Sequence, residues 1–212
     1  MRVVVFGADT LLGREVVTDL IFRGHLVTAV AAAHPWVPQE WVDRVVLRTG
    51  DPLDAGLVDD LAAGHEVFVD ALGDCRGGRA LARSAAATRE ITAGMQRHGR
   101  LRYIGLRPDV LLEPASRRLA WRSALRLLAL GCCPRTRQAV ASAFETVARS
   151  PLSWTVVRCP GLTHGPPRGV RHVGMTHRDS VGPSLTRADA ARFLAAQVLE
   201  TNYICAAPAI SN

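Results

Sequence analysis

The feature that most constrains the fold is the start of the chain, where a short apolar run ends at a glycine. Residues 2–6 are mainly β-branched or aromatic, which is typical of a buried parallel strand. The run ends at Gly7, and after Gly13 apolar residues recur at helical spacing over residues 16–21. A strand, a glycine-containing turn and a helix in this order point the first backbone amides of the helix beyond the strand. The segment therefore predicts an α/β unit whose first turn can bind a phosphate group.

The glycines of this turn have different roles in the pattern that binds dinucleotides. Gly7 would supply the tight turn, and Gly13 would let the helix pack closely on the strand. The middle glycine, which lets the backbone approach the phosphates, is replaced by Thr10, and Asp9 precedes it. A carboxylate beside a pyrophosphate is repulsive unless it points away. We therefore expect weaker dinucleotide binding than the complete glycine pattern would give.

Strands and helices alternate along the rest of the chain. Strand patterns occupy residues 26–31, 45–47, 66–72, 102–106 and 154–158. Helical patterns occupy residues 79–97, 116–130 and 134–149, with a short helix capped by Asp54 and a last helix capped by Thr186. A final short strand is expected at residues 203–205.

This alternation predicts one Rossmann-like domain over residues 1–212, a doubly wound parallel sheet flanked by helices. No internal repeat or linker divides the chain. One connection, at about residues 159–184, is rich in Pro, Gly and His and is long enough to indicate a substrate loop.

The basic composition bears on the chemistry. A net charge of +7 would suit nucleic acid, but the arginines are scattered without interleaved aromatic residues, and anionic small molecules explain the charge equally well. We expect a small-molecule substrate and no nucleic acid. All 26 basic residues are arginine, so no Schiff base, P-loop lysine or Tyr-x-x-x-Lys dyad is available. The five cysteines lack paired C-x-x-C spacing, and no metal site is expected.

Hydropathy gives a prediction about location. No apolar run reaches the length of a transmembrane helix, which is about 18 residues. No charged-then-apolar leader precedes the first strand. We expect no membrane association and a cytoplasmic location.

Six short segments match, in order, the motifs of one family. They are Gly7-x-x-x-x-x-Gly13, Arg23-Gly24-His25-x-Val27-Thr28-Ala29, Gly50-Asp51-x-x-Asp54, Arg97-His98-Gly99-x-x-Arg102-Tyr103, Leu152-x-Trp154-Thr155-Val156-Val157-Arg158-x-Pro160-Gly161-Leu162-Thr163 and Leu185-Thr186-Arg187-Ala188-Asp189-x-Ala191. Over nearly its whole length the chain resembles the atypical short-chain dehydrogenase/reductase family of NAD(P)H-binding proteins. That family includes flavin and biliverdin-IXβ reductases and NmrA-like proteins.

The resemblance implies NADP or NAD as the cofactor, with NADPH slightly favoured. It implies that backbone at residues 10–13 meets the pyrophosphate, that Asp51 and Leu53 border the adenine, and that residues 71–73 line the nicotinamide ribose. The cofactor contacts expected on this basis are Gly7, Asp9, Thr10, Leu11, Leu12, Gly13, His34, Asp51, Leu53, Ala71, Leu72 and Gly73.

The end of the second strand sets the preference between the two cofactors. An acid there favours NAD, and a nearby arginine accommodates the 2′-phosphate of NADP. This chain has Ala31-Ala32-Ala33-His34, which offers neither. We therefore expect little discrimination between NADH and NADPH, with His34 as a possible contact for the 2′-phosphate.

The expected catalytic residue is His164, because a proton donor is needed near the hydride acceptor and His164 is nearest in sequence to the predicted pocket. A solvated loop histidine is the alternative interpretation. The predicted substrate contacts are Arg107, Arg158, Pro160 and Gly161. The two arginines would hold an anionic substrate, although an ion pair that fixes the turn after strand six explains Arg158 equally well.

Three functions are compatible with these residues. Gly105 and Leu106 replace the serine pair that usually follows strand five in the family, so no hydroxyl donor is offered there. The first hypothesis is an NAD(P)H-dependent reductase of a small planar acceptor of the flavin, quinone or tetrapyrrole type, acting as a monomer or dimer. The second is a non-catalytic NAD(P)-binding sensor of the NmrA-like type. The third is a degenerate fold used only for protein contacts.

Overall fold

The computed structural model describes residues 1–32, 38–99, 102–109, 133–175 and 181–212. The strands within these ranges are β1 (Arg2–Phe6), β2 (Leu26–Ala31), β3 (Val45–Thr49), β4 (Val67–Asp70), β5 (Arg102–Pro108), β6 (Ser153–Cys159), β7 (Leu162–Thr163), β8 (His172–Gly174), β9 (Leu185–Thr186) and β10 (Ala209–Ser211). The helices there are α1 (Leu11–Phe22), α2 (Ala55–Gly64), α3 (Gly78–Arg97), α4 (Pro134–Ala148) and α5 (Arg187–Ala196).

Eight of these strands form one sheet in the order β3-β2-β1-β4-β5-β6-β10-β8. Neighbouring strands are parallel, except that β8 runs antiparallel to β10. The order in which strands are added reverses direction between β1 and β4. At such a topological switch point, the carboxyl ends of the strands border a crevice that binds ligands. The predicted fold class is confirmed, and the candidate site lies at this edge.

Helices cover both faces of the sheet because side chains alternate along each strand. Val3 and Val5 of β1 belong to the apolar core that contains α1 and α5. Val4 and Phe6 belong to the core on the opposite face, with residues of α2, α3 and α4. Burial on both sides explains the continuous apolar run at the start of the chain. In the part of the chain that the structure describes, no helix is long and apolar enough to cross a membrane.

Most predicted elements are found with shifted ends. The strand expected at residues 66–72 stops at Asp70, because the next residues turn at the carboxyl edge of the sheet. The strand expected at residues 102–106 continues to Pro108, in register with β6. The helix predicted at residues 116–130 lies outside the described residues.

The prediction of a final strand at residues 203–205 is wrong. Residues 202–205 form turns, and Cys205 has a left-handed backbone with φ of 54°. The Cys205 amide donates to the carbonyl of Trp154 at 2.7 Å, which brings the chain alongside β6. The final strand forms only after Pro208, as β10, whose residue Ala209 pairs with Arg158.

The predicted substrate loop is more ordered than its composition indicates. It contains two short strands, β7 and β8, which pair with β9 and β10 beyond the loop. The carboxylate of Asp189 on α5 accepts from the amides of Arg168 and Gly169 at 2.8 and 3.0 Å. The first part of this connection is therefore held against α5. Residues 176–180 lie outside the described residues.

Candidate functional site

The first turn brings the end of β1 into contact with the start of α1. Gly7 has φ of 79°, in the left-handed region that favours glycine. Its amide and that of Ala8 both donate to the carbonyl of Val30, at 3.1 and 3.0 Å. A Cβ on Gly13 would lie 2.0 Å from the Gly7 carbonyl oxygen, so the close approach of helix and strand requires glycine at position 13.

Thr10 serves as the N-cap of α1. Its hydroxyl oxygen accepts from the amide of Gly13 at 2.9 Å and donates to the Gly7 carbonyl at 2.8 Å. The amides of Leu11 and Leu12, which belong to the first helical turn, have no partner among the described residues. Unpaired amides at the positive end of a helix dipole are suited to binding phosphate oxygens.

The carboxylate of Asp9 bonds to the chain at the end of β2. Its Oδ2 accepts from the amide of Ala32 at 3.2 Å, directly after the last residue of β2. The expected repulsion of a pyrophosphate by Asp9 is therefore reduced, because the charge lies toward β2. His34, the predicted ribose contact, lies outside the described residues.

The predicted adenine contacts lie in the turn after β3. Asp51 accepts from the amide of Leu53 at 3.0 Å and pairs with Arg83 of α3 at 2.5 Å. Both charged side chains are about half exposed, and Leu53 is exposed. The turn therefore presents an apolar side chain and a neutralised carboxylate to solvent.

The loop after β4 is organised by a buried carboxylate that the sequence analysis did not single out. Asp70 is fully buried, and its Oδ1 accepts from the amide of Leu72 at 3.0 Å. Its Oδ2 accepts from Thr88 and Tyr103, both at 2.8 Å, and from Arg107 at 2.6 Å. This one carboxylate joins β4, α3 and β5 beneath the loop.

The pKa of Asp70 reflects this environment. Burial acts to raise the pKa, but the charge of Arg107 and the hydrogen bonds from Arg107, Tyr103 and Thr88 hold it below its ordinary value. Arg107, also buried, has a raised pKa despite desolvation, because the Asp70 carboxylate is beside it. The pair is therefore ionised in the folded protein.

Residues 71–73 lie close to the end of β1 and to the end of β5. A methyl carbon of Leu72 lies 2.9 Å from the position that a Cβ on Gly7 would occupy. A Cβ on Gly73 would lie 1.9 Å from the carbonyl oxygen of Leu106, at the end of β5. The structure thus places residues 7–13 and 71–73, two of the predicted cofactor segments, next to each other.

The two predicted substrate arginines are buried, which corrects the picture of open anion-binding side chains. Arg107 pairs with Asp70, and it also donates to the Leu106 carbonyl at 2.7 Å. Arg158 pairs with Asp109 at 2.9 Å and donates to the Ala207 carbonyl at 2.7 Å. For Arg158, the structure matches the alternative interpretation of an ion pair. The N–H groups of both arginines donate to carbonyl and carboxylate oxygens of the protein. These side chains therefore hold the ends of neighbouring strands together.

A third ion pair at this edge involves the start of α5. Arg187 donates to both carboxylate oxygens of Asp74, at 2.6 and 3.2 Å. Both side chains are mostly buried. The pair joins the loop after β4 to the start of α5. Asp70, Asp74 and Arg187 are therefore site-building residues that the sequence analysis missed as a group. The sequence indicated Arg187 only as a residue of one family motif, without a partner or a role.

The thiol of Cys159 is not built as a nucleophile. It is buried and donates to the carbonyl of Arg107 at 3.7 Å. Burial and the nearby carboxylates of Asp74 and Asp109 raise its pKa. Burial likewise raises the pKa of Cys75 to about 11. Both thiols are therefore protonated at neutral pH.

The remaining predicted contacts lie toward solvent. His164 is exposed and makes no hydrogen bond within the described ranges. Gly161 is exposed, and its carbonyl accepts from the amide of Leu185 at 3.0 Å. Pro160 is half-buried. His164 is thus not fixed toward the ends of β4 and β5.

The fold and the first turn together define a Rossmann-like dinucleotide-binding protein. The family model described as NAD(P)H-binding matches residues 7–201. The chain therefore belongs to this NAD(P)H-binding family, as the six motifs predicted. Among curated proteins, no sequence matches the chain.

Solved structures with low identity share the fold. The oxidoreductase ylbE from Lactococcus lactis has a TM-score of 0.82 at 17% identity, covering 100% of this chain and 91% of its own. A short-chain dehydrogenase/reductase from Veillonella parvula, in complex with NADP, has a TM-score of 0.78 at 16% identity, with 100% and 94% covered. ChuY, an anaerobillin reductase from Escherichia coli, has a TM-score of 0.76 at 16% identity, with 100% and 97% covered. At these identities the likeness establishes the fold alone.

Proposed function

We propose that the protein is an NAD(P)H-dependent reductase of a small planar acceptor of the flavin, quinone or tetrapyrrole type. Membership of an NAD(P)H-binding family supports the cofactor. The observation that carries the choice of acceptor is the pairing of the buried polar side chains at the ends of β4, β5 and β6. Tyr103 and Arg107 both donate to the Asp70 carboxylate, and Arg158 donates to Asp109.

In this proposal the protein binds and orients the dinucleotide. The unpaired amides of Leu11 and Leu12 bind the pyrophosphate, which suits their place at the start of α1. Residues 71–73 line the nicotinamide ribose, and Asp70 fixes them through the Leu72 amide. When bound, the cofactor supplies the hydride, and the protein controls only its position and surroundings.

The proton needed for reduction comes from water or from His164. The hydroxyl of Tyr103 donates to Asp70, and its pKa is raised well above the ordinary value by burial and by that carboxylate. Arg107 and Arg158 are held in ion pairs. An acceptor that needs little acid catalysis by the protein fits this arrangement better than a simple ketone. ChuY, similar in fold, is itself named a reductase of anaerobillin.

A screen of acceptors tests the proposal. We expect loss of nicotinamide absorbance with flavins, quinones or linear tetrapyrroles, and essentially none with unactivated ketones or alcohols. His164→Ala should lower the rate by less than the roughly hundredfold effect of losing an essential general acid, because water can substitute. Rapid turnover of a plain ketone would contradict the proposal.

The same pairing of polar side chains favours a second candidate, a sensor that binds the dinucleotide without turnover. Measurable binding together with no turnover of any acceptor would support the sensor over the reductase. Absence of binding would leave a fold used for protein contacts. A cytoplasmic location and a monomeric or dimeric state stay predictions.

A further inference from the structure

We infer that Asp9 binds the adenosine ribose and makes this chain selective for NADH over NADPH. The inference rests on dinucleotide binding, which the proposed function also needs, but it does not depend on turnover. The sequence order hides this role, because Asp9 belongs to the first turn and not to the end of β2. The structure brings the two together.

The Asp9 carboxylate lies at the end of β2. Asp9 Oδ2 accepts from the amide of Ala32 at 3.2 Å, and Ala31 is the last residue of β2. The whole turn is joined to β2, because the amides of Gly7 and Ala8 donate to the carbonyl of Val30. In Rossmann sheets, an acid at the end of the second strand hydrogen-bonds the ribose hydroxyls of NAD. Asp9 places its carboxylate at that strand end from a different part of the chain.

Asp9 has acceptor positions left for a ligand. The residue is exposed, and the Ala32 amide is its one hydrogen-bond donor within the described residues. An ionised carboxylate has about four acceptor positions, so Oδ1 remains available to a ribose diol. Adjacent hydroxyls on a sugar ring both donate, which suits a carboxylate acceptor. Asp9 therefore has the chemistry to bind an unphosphorylated ribose.

The negative charge of Asp9 discriminates between the two cofactors. The 2′-phosphate of NADP adds negative charge at the ribose position that the carboxylate would contact, and the two groups repel. An arginine usually accommodates that phosphate, but the sequence has no arginine between Gly24 and Asp43. Arg83, which α3 directs to the end of β3, is already paired with Asp51. Asp9 therefore favours NADH over NADPH, whereas the family resemblance alone implied a slight preference for NADPH.

Binding measurements on the complete chain test the inference without any need for turnover. Dissociation constants for NADH and NADPH are measured by nicotinamide fluorescence, and those for ADP and its 2′-phosphorylated analogue by calorimetry. Because a hydrogen bond to a charged group is worth about tenfold or more in affinity, we expect NADH to bind at least about tenfold tighter than NADPH. ADP should show the same preference over its 2′-phosphorylated analogue.

Two variants separate ribose recognition from a merely structural role. Asp9→Asn keeps an acceptor for the Ala32 amide but removes the charge, so it should reduce the NADH preference by about tenfold. Asp60→Asn removes a matching charge from an exposed position on α2 and should leave the preference unchanged. The thermal midpoint of each variant establishes that it is folded.

A preference for NADPH in the unmodified chain, or an unchanged ratio in Asp9→Asn, would overturn the inference. Failure of both dinucleotides to bind would overturn it together with the proposed function. NADH selectivity without turnover of any acceptor would support the inference while removing the reductase.

Discussion

The candidate site at the carboxyl edge of the sheet has two halves, which are built in different ways. The half formed by β1, β2 and β3 presents backbone amides and exposed side chains, and among the described residues Asp9 bonds to a single amide. The half formed by β4, β5 and β6 is held by buried ion pairs, and Asp70 accepts from four different groups. The paired charges of the second half hold strands and loops in place, whereas the Asp9 carboxylate of the first half is exposed.

This contrast indicates where polar side chains are free to do chemistry. Buried charges are costly unless they are paired, so the ionic groups of the second half are committed to one another. Exposed carboxylates lose little by exchanging water for a ligand. Binding selectivity is therefore expected in the first half, and geometric precision in the second.

The largest expected effect comes from breaking the buried pair. Asp70→Asn leaves the Arg107 guanidinium buried without its counter-ion, and we expect a loss of about 3–5 kcal/mol in the free energy of unfolding. Urea denaturation measures this change.

The matched control is Asp51→Asn in the other half. It breaks the exposed pair with Arg83, and the expected loss is below about 1 kcal/mol. Equal losses of stability in the two variants would mean that the buried pair contributes no more than the exposed pair.

The next effect concerns the contact between α1 and β1. Gly13→Ala would place a methyl carbon 2.0 Å from the Gly7 carbonyl oxygen, a backbone atom that cannot rotate away. We expect a loss of about 2–3 kcal/mol and weaker dinucleotide binding. Gly64→Ala, at the end of α2, meets nothing within 4 Å and should change stability by less than about 1 kcal/mol. Urea unfolding of both variants measures the two losses, and equal losses would contradict a steric requirement for glycine at position 13.

The sequence predicts the first half of the candidate site better than the second, because the backbone geometry of a turn has a local signature. Gly7 and Gly13 mark the turn, and Thr10 is a recognisable cap. The ion pair between Asp70 and Arg107 spans 37 positions, and nothing local joins them. The same limit applies to Asp9, whose partner is 23 positions away.

The strand ends show the same limit. The apolar pattern of β4 continues to Leu72, yet the strand stops at Asp70 because the Asp70 carboxylate binds the Leu72 amide and turns the chain. The Cys205 region is predicted as a strand from its composition, but its backbone bonds to Trp154 in a turn. Local propensity identifies the elements, and tertiary hydrogen bonds decide where they end.

A smaller effect is expected from acid, and its sign follows from the lowered pKa of Asp70. A carboxyl whose folded pKa lies below its unfolded value contributes stability that is complete above the unfolded pKa, near 4. That contribution is lost as the pH falls through the folded pKa. The stability difference between the unmodified chain and Asp70→Asn should therefore be constant above about pH 5 and shrink below about pH 4. Urea titrations across this range measure it, and a gap that widens in acid would contradict the ionised pair.

The smallest expected effect tests whether the first half depends on backbone amides more than on side chains. Thr10→Ala removes the cap of α1 and should cost about 1 kcal/mol of stability. It also releases the Gly13 amide, which the Thr10 hydroxyl otherwise occupies, to join those of Leu11 and Leu12. Dinucleotide affinity should therefore be retained or rise while stability falls.

The control for this variant is Asp54→Ala, which removes a similar cap from α2, where the Asp54 side chain accepts from the Gly56 amide. It should cost a similar amount, about 1 kcal/mol, with no gain in affinity. Calorimetric titration and urea denaturation of the two variants give both quantities. If affinity fell more than about tenfold in Thr10→Ala alone, the Thr10 side chain itself would be a ligand contact, and the amides of the helix would not be sufficient to hold the pyrophosphate.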